Sequence, residues 1–267
     1  MNPISIARGL ALVSVSGLSV AVAATVVGHI GLGPRFDPLA LTVSDYALSD
    51  RGAVIEAAMV ALAGASLALI AGLTAARAPV RGLPTFLLLI WAAGLLVAAA
   101  VPTDPIGTPV ISTAGQVHRY ASVAAFVCLP AAALVLASRF AAEAAWSTLS
   151  ALLRRLATAS GAGLALLLYV AFPGDRVLMG LVERALIAVE VVVLLVLALR
   201  LFAPPVMVIA HASRSSRPQP NVPRAASQDA HPAWPVSRRG GWTGRRDHAR
   251  LPAQSRPCVG DVHTVQA

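Results

Sequence analysis

Lysine is absent from this chain of 267 residues, so all 21 basic side chains are Arg. A nucleotide-binding loop that ends in Gly-Lys needs its Lys to reach the terminal phosphates, so the sequence speaks against direct ATP-driven work. With Ala abundant, the missing Lys reflects the composition of the source genome more than selection for Arg chemistry. Cysteine is almost as scarce: Cys128 lies in an apolar run and Cys258 in a polar tail. No disulfide between them is expected, and no zinc-ligand spacing exists. Charge is thin as well, at 12% of residues against 57% apolar, with a mean hydropathy of +0.74. A water-soluble fold would have to bury every apolar run at once, which excludes an ordinary soluble domain.

What the chain does have is a series of apolar runs of about 20 residues, each enough to cross a hydrocarbon core of about 30 Å. They predict spans at Leu10 to Ile30, Val54 to Ala75, Leu83 to Val101, Tyr120 to Ser138, Leu156 to Phe172 and Leu181 to Phe202. The expected fold is an all-α membrane protein, a six-transmembrane-helix bundle over residues 1–203. Arg8, Arg77, Arg81, Arg139, Arg154, Arg155 and Arg200 fall on one side, whereas the other carries Arg35, Arg51, Arg119 and Arg176, with Arg184 just inside span six. Basic residues favour the cytoplasmic side, so both termini are expected there. Ala21-Val22-Ala23 resembles a signal-peptide cleavage site, but the length of the first run and five later spans favour its retention. The fifth span is the shortest and is open to an earlier start near Leu149, with Arg154 and Arg155 extending to the headgroups. Gly64, Ser66, Gly94, Gly161 and Gly163 are candidates for close helix approach.

Residues 204–267 form an Arg- and Pro-rich tail, expected to be cytoplasmic and mostly disordered. Nine Arg against Asp229, Asp247 and Asp261 suit anionic inner-leaflet lipid, with nucleic acid the weaker reading and a solubilising tail the plain one.

All five Asp of the first 203 residues, Asp37, Asp45, Asp50, Asp104 and Asp175, belong to the extracytoplasmic loops of this topology. Asp37 lies in a Gly- and Pro-punctuated turn, and Ser49 or Asp50 is placed to cap the second helix. His118 and Arg119 stand where span four enters the membrane; an imidazole there suits a structural hydrogen bond first, and metal or proton chemistry second. Pro102-Thr103-Asp104 and Pro173-Gly174-Asp175 repeat one pattern, in which Pro ends a helix and Asp marks the interface. Glu183 and Glu190, seven residues apart, share a face of span six, and Glu56 enters span two from the same side. A carboxylate in hydrocarbon is costly, so Glu190 is expected to face the bundle interior, paired or protonated, with His29, His118, Arg119 or Arg184 as partners.

Val43-Ser44-Asp45-Tyr46-Ala47-Leu48-Ser49-Asp50-Arg51-Gly52 before span two, Pro102-Thr103-Asp104 followed by Gly115 and His118, and Gly180-Leu181-Val182-Glu183-Arg184 at span six together resemble the DUF998 family of bacterial six-helix membrane proteins. The resemblance covers residues 8–203. It implies a multi-pass inner-membrane protein and supplies no catalytic role to transfer.

Three functions compete. A non-enzymatic recognition, accessory or lipid-interacting module fits the short loops and comes first; its partners would be membrane lipid, another membrane protein or a second copy of the chain. A small-solute, ion or proton transporter would use Glu56, Glu183 or Glu190 with His118, but the inner half of the bundle offers few polar residues. A metal-dependent intramembrane lipid hydrolase would need Asp45, Asp50 or Asp104 beside His29 and His118. No cofactor is expected: His29 and His118 would serve a single haem at most, and two haems with paired histidines would need four axial His. The catalytic and metal assignments stay open. The candidate functional cluster is Asp45, Asp50, Asp104, His118, Arg119 and Glu183, with Glu56, Arg184 and Glu190 as an intramembrane polar set.

Overall fold

A computed structural model describes residues 2–105 and 107–203; the Arg- and Pro-rich tail, with its expected disorder and lipid contact, lies outside the described residues. Those residues form six α-helices and one short 3₁₀ turn, with no strand among them. In chain order they are α1 (Pro3–His29), the 3₁₀ turn (Ser44–Leu48), α2 (Gly52–Ala75), α3 (Leu83–Ala100), α4 (Thr113–Ala141), α5 (Ser147–Ala171) and α6 (Met179–Arg200). Helices α1 to α5 are each long and apolar enough to cross a membrane. Helix α6 has 22 residues but carries Glu183, Arg184, Glu190 and Arg200, which separate its composition from the other five. The chain is a multi-pass membrane protein.

Local signals set several helix starts. Asn2 accepts the Ile4 N–H at 3.1 Å ahead of Pro3, and Ser112 Oγ accepts the Gly115 N–H at 3.0 Å, each satisfying a donor that a first turn leaves open. Helix α4 therefore begins at Thr113, not at Tyr120 where the apolar run starts, and α5 begins at Ser147 ahead of Leu156. An apolar run marks lipid-compatible composition, whereas a cap marks where backbone bonding begins. Arg119, Arg154 and Arg155 are accommodated because long side chains can extend towards headgroups.

Each helix packs on the next, and α6 returns to α1, so the bundle closes into a ring. Lipid tails are as apolar as Leu, so close packing must hold such helices together. Gly17 lies against Ala65, Gly94 against Ala121 and Ala125, and Gly163 against Leu186. Gly64 and Gly161, also candidates for close approach, face open space. Between α2 and α3 the Trp91 indole donates to Ser66 Oγ at 2.9 Å, and Ser66 donates to the Leu62 carbonyl.

Alternation of helix direction gathers the Asp-bearing loops at one end of the bundle, the Asp end. The opposite Arg end is close-packed, with Leu69, Leu73, Leu88, Leu129, Leu136, Phe140, Leu194 and Leu197 buried. There Arg139 donates to the Pro79 and Arg81 carbonyls, and Arg200 reaches the Ala145 carbonyl while lying over the Trp146 ring. Outward-facing Leu12, Val20, Val60, Phe86, Leu166 and Leu199 form the exposed apolar belt expected of a bilayer-facing surface.

Candidate functional site

Two adjacent residues of α6 hold the first Asp-end loop down. Glu183 Oε2 accepts the Val43 N–H at 2.5 Å, and Arg184 Nη1 is within 2.7 to 2.8 Å of the Pro38, Leu41 and Gly180 carbonyls. Gly180 lets this loop approach, because a Cβ there would overlap the Pro38 and Leu41 carbonyls. Arg184 Nη2 also lies 2.7 Å from His29 Nε2, while His29 Nδ1 is 2.6 Å from the Thr25 carbonyl. A carbonyl only accepts, so Nδ1 carries the proton and Nε2 receives the guanidinium. The His29 ring stacks on Tyr46 at 3.9 Å, and the Tyr46 hydroxyl donates to the Phe36 carbonyl at 2.9 Å. Burial pushes the Tyr46 phenol above its ordinary pKa, with Arg184 pulling the other way.

Within the loop, Asp45 Oδ2 accepts from the Thr42 N–H at 2.8 Å and from the Thr42 hydroxyl at 2.7 Å, which shapes the entry to the 3₁₀ turn. Asp37 Oδ1 accepts the Leu39 N–H at 2.9 Å, the turn role its Gly- and Pro-rich setting suggests. In the second loop Asp104 Oδ2 accepts the Ser112 N–H at 2.8 Å, close to the positive end of α4. Its carboxylate occupies the space a Cβ of Gly115 would fill. His118 Nδ1 lies 2.8 Å from the Val101 carbonyl, so it too carries its proton there. The other ring nitrogen, Nε2, is buried without a partner, and the residue is only 4% exposed.

These two loops cover a cavity of about 740 Å³ inside the Asp end. Its polar part is formed by Thr42, Asp45, Asp104, His118, Arg119, Ser122, Arg176, Glu183 and Arg184. Its walls are apolar, from Ala21 and Ile55 down to Leu62, Trp91, Phe126, Leu167 and Val191. Leu62 stands ten residues beyond Gly52, roughly 15 Å along α2 at 1.5 Å per residue, so the cavity reaches about half-way through the bundle. The volume lies within the range of about 300–1,000 Å³ common to sites for small organic ligands.

The sequence candidates divide accordingly. Asp45, Asp104, His118, Arg119, Glu183 and Arg184 line this one cavity, whereas Asp50, Glu56 and Glu190 do not. Asp50 and Glu56 are exposed and make no side-chain hydrogen bond to the described residues. The cap expected from Ser49 or Asp50 takes another form: α2 begins after Arg51 without a side-chain cap, and Ser49 Oγ instead accepts the Arg51 N–H at 3.2 Å. Glu190 is 0% exposed, and neither carboxyl oxygen has a partner. The pairing expected for it does not form, because His29 and Arg184 bond each other, His118 is held by Val101, and Arg119 stands at the cavity rim. Among the described residues, no three His, Cys, Asp or Glu side chains gather into a set able to hold a metal ion.

Sequence reasoning passed over Arg176 and Ser122 as site residues. Arg176 sits in a short left-handed stretch with Asp175 and Leu178, at φ angles of 50° to 61° that no composition signal announces. Ser122 lies one turn beyond His118 on α4, and that helical spacing was the available signal.

Comparison with curated proteins finds no match, and comparison with solved structures finds none either. A family model does match, over residues 14–200, which takes in every helix from the middle of α1 to the end of α6 and both cavity-covering loops. The chain thus belongs to the family described as Protein of unknown function (DUF998).

Proposed function

We propose that this protein is a membrane-embedded recognition module for an amphiphile, which enters from the bilayer with its headgroup at the Asp end and its chain in the apolar cavity. One observation carries the reading: a single cavity has a polar rim and apolar walls. The matching ligand has the same two-part chemistry, which is that of membrane lipid. The rim carboxylates of Asp45, Asp104 and Glu183 engage backbone N–H groups and not one another, an arrangement that supports binding over catalysis.

In this reading α6 is the sixth crossing, since 22 residues cover roughly 33 Å and Glu183 and Glu190 are both buried in the bundle. The balance of Arg between the two ends favours a cytoplasmic Arg end, with both termini there and the cavity extracytoplasmic. Transport draws less support, because Glu190 is not on the cavity wall and packed Leu side chains lie beyond it.

The test uses Trp91 as a reporter, since it lines the cavity. With Trp146, Trp234 and Trp242 replaced by Phe, an amphiphile brominated along its chain is expected to quench Trp91 saturably. Ser122→Phe, which fills the cavity, should weaken that binding about tenfold or more if it removes roughly 1.4 kcal/mol. Quenching that never saturates and is equal in both proteins would overturn the proposal.

A further inference from the structure

Among the polar groups of the rim, each acidic side chain has one oxygen bonded to the backbone, whereas two of the basic ones have no hydrogen-bond partner among the described residues. Asp45, Asp104 and Glu183 each accept a backbone N–H, and Arg184 is committed to three carbonyls and to His29. Arg119 and Arg176 line the same cavity, yet neither guanidinium makes a hydrogen bond to the described residues. His118 adds a second, independent observation. Its Nδ1 proton is used by Val101, which leaves Nε2 buried and without a partner. Two free guanidiniums call for an anion, which Arg binds through its planar fork of N–H donors. A bare imidazole nitrogen calls for a hydroxyl.

We infer that the cavity selects an acidic phospholipid whose headgroup also carries a hydroxyl, with the phosphate on Arg119 and Arg176 and the hydroxyl on His118. The inference rests on the amphiphile reading above and narrows its ligand. A zwitterionic headgroup leaves Arg119 and Arg176 facing a phosphate already neutralised by its own cation. A soluble phosphate has the charge but no chain to occupy the walls from Leu62 to Trp91.

The experiment displaces the brominated amphiphile from the full chain, with Trp91 as the remaining Trp, in an uncharged detergent. Dioctanoyl phosphatidylglycerol is expected to compete about tenfold better than dioctanoyl phosphatidylcholine, the gain of one good charge-assisted contact. Arg119→Gln with Arg176→Gln should erase that ratio, and Arg119→Lys with Arg176→Lys should keep most of it. Dioctanoyl phosphatidylmethanol, which has the same charge and no hydroxyl, should bind about fivefold more weakly than phosphatidylglycerol, and His118→Phe should close that gap. Equal competition by phosphatidylglycerol and phosphatidylcholine overturns the headgroup inference while the amphiphile reading stands. Equal competition by phosphatidylglycerol and phosphatidylmethanol overturns the role of His118. If glycerol 3-phosphate competes as well as phosphatidylglycerol, the site is for a soluble phosphate and the lipid assignment fails. If no lipid competes and quenching never saturates, the amphiphile reading itself falls.

Discussion

Arg184 joins segments that lie far apart in the chain. Its guanidinium meets the carbonyls of Pro38 and Leu41, its own helix at Gly180, and the His29 ring at the end of α1. A methionine in its place would keep the stem and abandon these acceptors, and hydrogen bonds to a charged group are each worth about 1.5–3 kcal/mol. Arg184→Met is expected to destabilise the protein by about 3 kcal/mol, read as a lower midpoint of thermal unfolding in detergent. Arg184→Lys should recover only part of this, because an ammonium cannot present the same fork to His29 and the carbonyls together. Gly115 offers a second check in the other loop. A methyl at this position would overlap the Asp104 carboxylate, so Gly115→Ala should displace Asp104 from the Ser112 N–H and cost about 1–3 kcal/mol by the same measurement. An unchanged midpoint in Gly115→Ala would mean that Asp104 is not held there.

At the scale of the helix, α6 differs from its neighbours because its buried face carries carboxyls. Glu190 is wholly buried and unpartnered, and it lies on α6 one turn from Leu186, the residue that packs on Gly163 of α5. Counting back along the antiparallel α5 brings Ser160, buried and also unpartnered, to about the same level. A polar group buried without a partner costs about 1–3 kcal/mol, and an apolar side chain of similar volume removes that cost. Glu190→Leu is therefore expected to raise the unfolding midpoint and leave Trp91 quenching by the brominated amphiphile intact. A lowered midpoint would show that Glu190 has a partner. Existence and order of the helices were legible from apolar runs, and the Asp end was legible from where five Asp fall. Helix starts such as Thr113 were not, because they depend on a cap, Ser112, outside the apolar run. Which side chains Glu190 meets was not legible for a related reason. Sequence gives a residue's height along a helix, but rotation and packing decide what it meets, and His29 turns to Arg184 and Tyr46 instead. Thr42 and Asp45, three apart, show the opposite case, a local pair whose bonding follows from spacing alone.

For the whole molecule, the direction of the bundle decides which leaflet the cavity samples. Arg8, Arg77, Arg81, Arg139, Arg154, Arg155 and Arg200 are at one end, and the excess argues that this end stays in the cytoplasm during insertion. The claim can be read with single cysteines, because only Cys128 and Cys258 need removal, as Cys128→Ala and Cys258→Ser. Asp50 at the Asp end and Glu143 at the Arg end are both exposed and make no side-chain hydrogen bond to the described residues, so each can carry a thiol at little cost. In intact cells a membrane-impermeant maleimide is expected to label Asp50→Cys, and to label Glu143→Cys only after the membrane is opened. The opposite pattern would turn the cavity mouth towards the cytoplasm and reverse the inferred topology. It would also change the source of the ligand: the Arg119 and Arg176 rim would then draw acidic lipid from the inner leaflet, whose negative surface potential concentrates Arg-rich segments beside it. The labelling result thus decides which leaflet supplies the headgroup, and the displacement experiment decides whether that headgroup is acidic.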